Sequence, residues 1–323
     1  MPIAQADTFA VEFGVANYHV PGHPAPLTHG DATTRRAATL QQAILAEECG
    51  LDVFGVNDSF STTLLELDPF CLIQQVAQRT SRIKLTTSIG DVNSTNLSQR
   101  HAEFHQVLEL TGKRAEIVLE RDNFSPPGAD PTADASTSET FNAQLAEWVA
   151  MIEQCRADAT WIEVVGRSDV ILQAASHNIP IMLQISSGNP LKQKHFVDMY
   201  HQAISRFGRR DLPLGILVPG LVAASDDVAR EASFPSWAHH VGDSIPAEHM
   251  SETFSKEIEQ GALFIGSPDT VAAKIASTVE HLGLNRFIMR YTCGLHPDSV
   301  AEECIRLFGT EVVPRVRELL LQR

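Results

Sequence analysis

Residues 45–56 read LAEECGLDVFGV, and residues 76–89 read VAQRTSRIKLTTSI. In each stretch the end of a helical pattern, a short polar turn and a run of apolar residues follow one another. This alternation of strand and helix occurs eight times between Ala10 and Tyr291. The strands are short continuous apolar runs, which is typical of a parallel sheet covered on both sides. We therefore predict an α/β fold, a (β/α)₈ TIM barrel formed by a single domain over residues 1–323.

The second half of the chain contains the longest departure from this alternation. The seventh strand, LPLGILV (212–218), is followed by an interruption from roughly Ala223 to Leu263. The seventh helix then begins at Ser267 as N-cap, with Pro268 in the first helical position. We predict an insertion after the seventh strand that forms a mobile lid, with Trp237 and His239 facing the substrate.

The composition indicates a protein that works away from membranes and nucleic acids. Of the 323 residues, 43% are hydrophobic, yet no run approaches the roughly 18 to 20 apolar residues of a spanning helix. The net charge of −15 repels nucleic acids and anionic membranes. The first residues, MPIAQADTFAVEFG, lack the pattern of a secretory signal. The five cysteines are scattered, so we expect reduced thiols and a cytoplasmic location.

Polar residues at the strand ends are the candidates for function, because barrel enzymes carry their active sites there. Asp58 follows the second strand and is either a base or a turn residue. Thr86-Thr87-Ser88 lies in the third strand and is either a set of small hydroxyls that let a flat ligand approach or ordinary strand threonine content. Glu120-Arg121-Asp122 follows the fourth strand and is either part of the mouth or a structural ion pair.

Two further segments could bind a ligand, and one group of histidines does not predict a metal site. Gly166-Arg167-Ser168 opens a helix, which makes it either a phosphate cradle or a plain serine cap. Arg290, inside the eighth strand, needs a ligand or an ion pair with Glu116 or Glu163. His19 and His23 are separated by Val-Pro-Gly, so their spacing has no helical meaning and we predict no metal.

Five segments resemble, in order, the bacterial luciferase-like flavin-dependent monooxygenase family. LAEECGLDVFGV resembles its first helix and second strand, and VAQRTSRIKLTTSI its second helix and third strand. LELTGKRAEI (108–117) is similar to the stretch before the fourth strand. GSPDTVAAKI (266–275) and LFGTEVVPRVREL (307–319) are similar to the start of the seventh helix and to the C-terminal helix. The resemblance covers nearly the whole chain and implies the barrel fold.

The resemblance also implies a cofactor and the residues that bind it. The cofactor is FMN, reduced by a separate flavin reductase and used with O₂ on a small organic substrate; a homodimer is expected. Thr87 and Ser88 lie where the third strand bulges beneath the isoalloxazine ring, and Arg121 lies beside that ring. The turn 166–168 binds the cofactor phosphate, and His19 of the first loop faces the substrate.

The chain departs from the family pattern at two strand ends. Asn57-Asp58-Ser59 replaces the usual Glu-His-His, and residues 118–122, VLERD, retain only the Arg of Gly-x-Gly-Arg-Gly. Asp58 and Arg290 are therefore the catalytic candidates. Two alternatives stay open: a deazaflavin-dependent enzyme that transfers hydride, and a barrel without catalysis that serves as a binding or partner subunit.

Overall fold

The computed structural model of the chain describes most of the barrel and the helices around it. The described residues are 11–17, 32–56, 69–89, 97–120, 143–151, 159–166, 168–208, 212–242, 244–291 and 296–322.

Nine parallel strands are present in this part of the chain, and eight of them form a closed ring. The ring follows chain order from β1 to β7; β7 then pairs with β9, and β9 pairs with β1. The short β8 pairs only with the end of β7 and lies outside the ring. The predicted TIM barrel is thus confirmed. The strands are β1 (Glu12–Asn17), β2 (Val53–Val56), β3 (Lys84–Ile89), β4 (Ala115–Leu119), β5 (Thr160–Val164), β6 (Ile181–Gln184), β7 (Leu214–Val222), β8 (Phe264–Gly266) and β9 (Arg286–Arg290).

Helices cover the outside of the ring, and local signals explain where several of them begin. The Ser267 hydroxyl accepts the N–H of Thr270, and Pro268 follows it, as the sequence predicts. The helices are α1 (Ala32–Glu48), α2 (Pro69–Ala77), α3 (Leu97–Leu110), α4 (143–151), α5 (Ser168–His177), α6 (Lys194–Arg206), α7 (Asp226–Val241), α8 (Ala247–Glu259), α9 (Pro268–Leu282), α10 (Asp298–Leu307) and α11 (Val313–Leu321). None of the described helices has both the length and the apolar character needed to cross a membrane.

The insertion after the seventh ring strand is helical, whereas the sequence suggested a long loop. It consists of α7 and α8, and it leads into the strand β8, which the sequence did not reveal. The buried face of α7 is formed by small or polar residues, Ala229, Ser233 and Ser236, so the helix has no apolar period to recognise. Pro235 lies within α7, and because proline is typical of turns, the sequence favours a loop at this point.

The barrel interior is filled rather than hollow. Side chains that alternate along the strands form one apolar cluster inside the ring. Trp161 is its largest member, and Gly215 leaves room for it and for Met182: a Cβ at Gly215 would approach the Met182 side chain to 2.7 Å and the Trp161 ring to 3.3 Å. The cluster consists of Ala16, Val53, Val118, Trp161, Met182, Leu217 and Ile288.

An ion network closes the barrel interior at the amino ends of the strands. The Arg286 guanidinium, 2% exposed, donates to the carboxylates of Glu12 and Glu116 and stacks 4.3 Å from the centre of the Trp161 ring. Lys84 donates to Glu12 at 2.5 Å. The network therefore connects β1, β3, β4 and β9, and it leaves the carboxyl ends of the strands as the open face of the barrel.

The third strand is regular where the family resemblance implied a bulge. β3 pairs residue by residue with β4 from Leu85 opposite Ala115 to Ile89 opposite Leu119. A bulge would place two residues of one strand opposite a single residue of the other. The expected bulge at Thr87 and Ser88 is therefore absent from β3.

Candidate functional site

The carboxyl ends of the ring strands, here called the barrel mouth, contain a buried carboxyl group and a buried guanidinium. Glu163 is next to last in β5, and Arg290 is the last residue of β9. They are 7% and 6% exposed, respectively. By alternation, both lie on the inner side of the ring, with Trp161 and Ile288. Glu120 follows β4 directly and is half-buried.

The environment of Glu163 favours its neutral form. Burial raises the pKa of Glu163 well above its usual value, and the negative charge of Glu120 raises that pKa further. The positive charge of Arg290 lowers the pKa but does not offset the other two effects. A carboxyl group in such surroundings keeps its proton to a higher pH than an exposed glutamate does.

Arg290 has different surroundings from those of the other buried arginine. Of its two predicted partners, Glu116 binds Arg286 instead. Glu163 interacts with Arg290 through charge, and one guanidinium nitrogen of Arg290 lies 3.4 Å from the Ser186 hydroxyl. The positive charge of Arg290 therefore lies at the mouth, whereas that of Arg286 is paired with carboxylates at the closed end.

A cavity of about 230 Å³ lies beside Arg290, between the mouth and the helices α7 and α8. We call it the helix-pair cavity. Of the two residues predicted to face the substrate, Trp237 lines this cavity and His239 does not, whereas the next residue, His240, does. The lining residues are Ser186, Ser187, Pro219, Gly220, Leu221, Ser233, Trp237, His240, Val241, Ile245, Thr253, Glu257, Leu263, Ile265, Arg290 and His296.

The polar groups of this cavity are held in different ways. The Glu257 carboxylate accepts the backbone N–H of Gly188, at 3.0 Å, and that of Ala262, at 3.2 Å. The Ser233 hydroxyl is buried and has no hydrogen-bond partner among the described residues. Buried hydroxyls are normally paired, and three other buried atoms of the described residues, Thr86 Oγ1, Gln144 Oε1 and Trp161 Nε1, are unpaired in the same way. The Trp237 ring packs 5.0 Å from the centre of the Phe254 ring, which joins α7 to α8.

Two of the three residues predicted to bind the cofactor phosphate, Gly166 and Ser168, are exposed where β5 leads into α5. Gly166 has a φ of +63°, and a Cβ there would meet nothing within 4 Å, so the space around it is open. The exposed Ser168 begins α5, whose first N–H groups face the carboxyl end of β5. Asp169 in the first helical turn opposes an anion, so a bound phosphate would need further positive charge. These features fit the phosphate end of a flavin.

Some of the other predicted site residues lie in the part of the chain that the structure describes, and others lie outside it. Ser88 lies on the inner side of β3, whereas the side chain of Thr87 lies on the side of the helices. Asp58, Arg121, Arg167 and His19 lie outside the described residues. The catalytic and binding roles of all these residues stay predictions.

Several solved structures resemble this chain over nearly its whole length. Monooxygenase RslO1 from Streptomyces bottropensis has a TM-score of 0.73 at 16% identity, covering 94% of this chain and 99% of that one. The coenzyme F420 dependent tetrahydromethanopterin reductase from Methanopyrus kandleri has a TM-score of 0.69 at 14% identity, covering 95% and 99%. The oxygenating constituent of 3,6-diketocamphane monooxygenase from Pseudomonas putida, in complex with FMN, has a TM-score of 0.68 at 15% identity, covering 95% and 99%.

This chain shares their fold. No protein-family model and no curated protein matches the sequence. The resemblance to luciferase-like monooxygenases and their deazaflavin-dependent counterparts is thus confirmed at the level of structure. At 12–16% identity such likeness establishes the barrel, and the chemistry has to be argued from the site itself.

Proposed function

We propose that the protein is a flavin-dependent oxidoreductase that uses reduced FMN, supplied by a separate reductase, and O₂ to oxygenate a small organic substrate. One observation carries this proposal: two binding features occupy the same face of the barrel. These are the open turn at the end of β5 and the cavity at the ends of β6, β7 and β9. A cofactor held by its phosphate at the turn and a substrate in the cavity would meet over the mouth.

The residues of the chain would bind, orient and exchange protons. Gly166, Arg167 and Ser168 would bind the phosphate, and Thr87, Ser88 and Arg121 would lie around the ring. The bound flavin would supply the electrons for oxygen chemistry. The positive charge of Arg290 would orient an oxygen atom of the substrate.

Proton transfer and exclusion of water would fall to other groups. Asp58 and the buried Glu163 would exchange protons with the reacting groups. The helices α7 and α8 would keep water away from the mouth.

A deazaflavin-dependent hydride transfer is the second candidate. The neutral Glu163 favours it, since a hydride added to a carbonyl carbon must be matched by a proton on the oxygen. The likeness to the coenzyme F420 dependent reductase points in the same direction.

Titration of the purified protein with FMN and with the deazaflavin coenzyme, followed by absorption and fluorescence, tests both candidates. We expect saturable binding of one of them, and Arg167→Ala should weaken it by about 1–3 kcal/mol. Arg206→Ala, at the exposed end of α6, is the control and should leave the affinity unchanged. If neither cofactor binds in oxidised or reduced form, the oxidoreductase proposal is wrong and the partner-subunit alternative gains support.

A further inference from the structure

We propose that Lys274 is an acylation site, at which the side-chain amine takes a short acyl group from a neutral thioester that enters a cavity between α8 and α9. This inference concerns a place other than the helix-pair cavity and does not rest on the proposed function. It is carried by the second cavity, by the two carbonyl groups that hold the amine and by the charges around it.

A second cavity, of about 490 Å³, lies between the end of α8 and one side of α9, and we call it the α8–α9 cavity. It shares one lining residue, Ile265, with the helix-pair cavity, and Arg290 does not line it. Lys274 of α9 lines it and is partly buried. Because a cavity of about 150 Å³ already holds benzene, this one has room for a short acyl group together with its thiol carrier.

The amine of Lys274 is held by two backbone carbonyl groups. It donates to the carbonyl oxygen of Ile258, at 2.6 Å, and to that of Leu263, at 2.8 Å. A neutral amine has two N–H groups and one lone pair, so it can satisfy both carbonyls and keep the lone pair for a nucleophilic attack. Burial lowers the pKa of Lys274 to about 8, although the negative charge of Glu257 opposes this change. About half of the molecules therefore carry the neutral amine at pH 8, against less than about one in a hundred for an ordinary lysine.

The charges around the α8–α9 cavity decide the kind of acyl donor. Asp226 and Glu259 supply carboxylates, and the guanidinium of Arg230 lies 3.9 Å from Glu259. When Lys274 is neutral, these three side chains leave a net negative charge in the wall, which repels an anionic donor such as an acyl phosphate. A thioester is uncharged at its reacting group. The lone pair of Lys274 attacks the carbonyl carbon, an N–C bond forms, the C–S bond breaks, and the thiol leaves with the proton that the nitrogen loses.

Acylation would release the end of α8. The product amide has one N–H and no charge, so at least one of the two carbonyls of Ile258 and Leu263 loses its hydrogen bond. The attraction between the charged amine and the Phe264 ring, whose centre is 4.7 Å from Nζ, is also lost. Ile258 lies in the last turn of α8, where the carbonyls have no partner within the helix. Since Glu257 and Leu263 line the helix-pair cavity, the modification would loosen one wall of that cavity.

Peptide mass spectrometry on the full chain, at pH 8 and without flavin, tests the inference with S-acetyl-N-acetylcysteamine as the neutral thioester. We expect Lys274 to be acetylated about tenfold faster than Lys256, an exposed lysine of α8, and its rate to saturate as the thioester concentration rises. Acetyl phosphate should give a lower ratio of the two rates. Ser277→Trp, which places a ring in the cavity, should remove the advantage of Lys274, whereas Ala273→Trp, at an exposed position of α9, should keep it.

Hydrogen exchange tests the effect of the modification on the end of α8. Lys274→Gln, whose side chain is a neutral amide like that of the acetylated lysine, should speed exchange in residues 258–263, and so should acetylation itself. Lys256→Gln is the matched control and should leave that exchange unchanged. Equal rates of acetylation at Lys274 and Lys256, a higher ratio with acetyl phosphate, an unchanged ratio in Ser277→Trp, or unchanged exchange in Lys274→Gln would each overturn the inference.

Discussion

At the scale of single residues, Glu163 and Glu116 are identical side chains whose surroundings differ because they lie at opposite ends of the barrel. Both are buried and both belong to ring strands. Glu116 receives two hydrogen bonds from Arg286 at the closed end of the barrel. Burial and the negative charge of Glu120 raise the pKa of Glu163 more than the positive charge of Arg290 lowers it, so its neutral form is favoured. The two carboxyl groups therefore differ in what surrounds them: hydrogen bonds from an arginine at the closed end, and burial with a neighbouring negative charge at the mouth.

The raised pKa of Glu163 makes the stability of the protein depend on pH. The folded state holds this proton at pH values where the unfolded chain has lost it, so stability falls as pH rises from the ordinary glutamate pKa through the folded one. We expect Glu163→Gln to remove this loss of stability and to be more stable than wild type at pH values above the folded-state pKa of Glu163. Urea unfolding between about pH 5 and pH 9 measures the effect.

Two further variants give this prediction its controls. Glu252→Gln, in an exposed position on α8, should keep the wild-type pH profile. Glu120→Gln removes a negative charge that raises the pKa of Glu163, so it should move the loss of stability to lower pH. A Glu163→Gln profile parallel to that of wild type would show that Glu163 has no unusual proton affinity.

The sequence identified some residues of the mouth and missed others for physical reasons. Arg290 is recognisable because an arginine in an apolar strand must have a partner. Glu163 was seen only as that partner, since its surroundings depend on which strands face each other across the ring. Ser233 carries no local signal at all: a serine in a polar stretch becomes informative only once its helix is known to cover a cavity.

At the scale of elements, the ion network of Arg286 joins strands that are far apart in sequence. It connects β1 with β4 and β9, and Lys84 adds β3. Because Arg286 is 2% exposed, its removal leaves Glu116 buried without its main cation. Loss of one partner from a buried ion pair is strongly destabilising, whereas exposed pairs contribute little.

We expect Arg286→Met to lower the free energy of unfolding by about 3–5 kcal/mol, measured by urea denaturation. Adding Glu116→Gln to that variant should recover part of the loss, because the uncompensated charge is then gone. Arg306→Ala is the surface control: its pair with Glu303 is half exposed, so a much smaller loss of stability than in Arg286→Met is expected. Equal losses of unfolding free energy in Arg286→Met and Arg306→Ala would mean that burial of the network adds nothing to stability.

The predictability of the elements follows the strength of their local signals. The cap at Ser267 and Pro268 and the apolar strands of the ring are local features, and the structure reproduces them. The helices α7 and α8 and the strand β8 are stabilised by contacts with neighbours, as the packing of Trp237 on Phe254 illustrates. Such contacts join residues distant in sequence, which a periodic pattern does not reveal.

At the scale of the whole molecule, the net charge of −15 bears on any anionic cofactor. The phosphate of FMN carries about two negative charges at neutral pH. It would approach a repelling surface, and only the local N–H groups at the start of α5 and nearby cations would attract it. The repulsion by the whole surface acts over a longer distance than the attraction by these local groups. Salt screens exposed charges beyond about 8 Å at physiological ionic strength and beyond about 30 Å at 0.01 M.

We therefore expect the association rate constant of FMN to rise, by roughly two- to tenfold, when ionic strength increases from about 0.01 M to about 0.15 M. Long-range repulsion is screened over that interval, whereas contacts at the phosphate turn act at short distance and are screened less. Stopped-flow fluorescence measures the rate, and riboflavin, which has the same ring system without the phosphate, is the control that should not respond. A rate for FMN that falls with salt would show that a local positive field, and not the net charge, governs the approach of the cofactor to the barrel mouth.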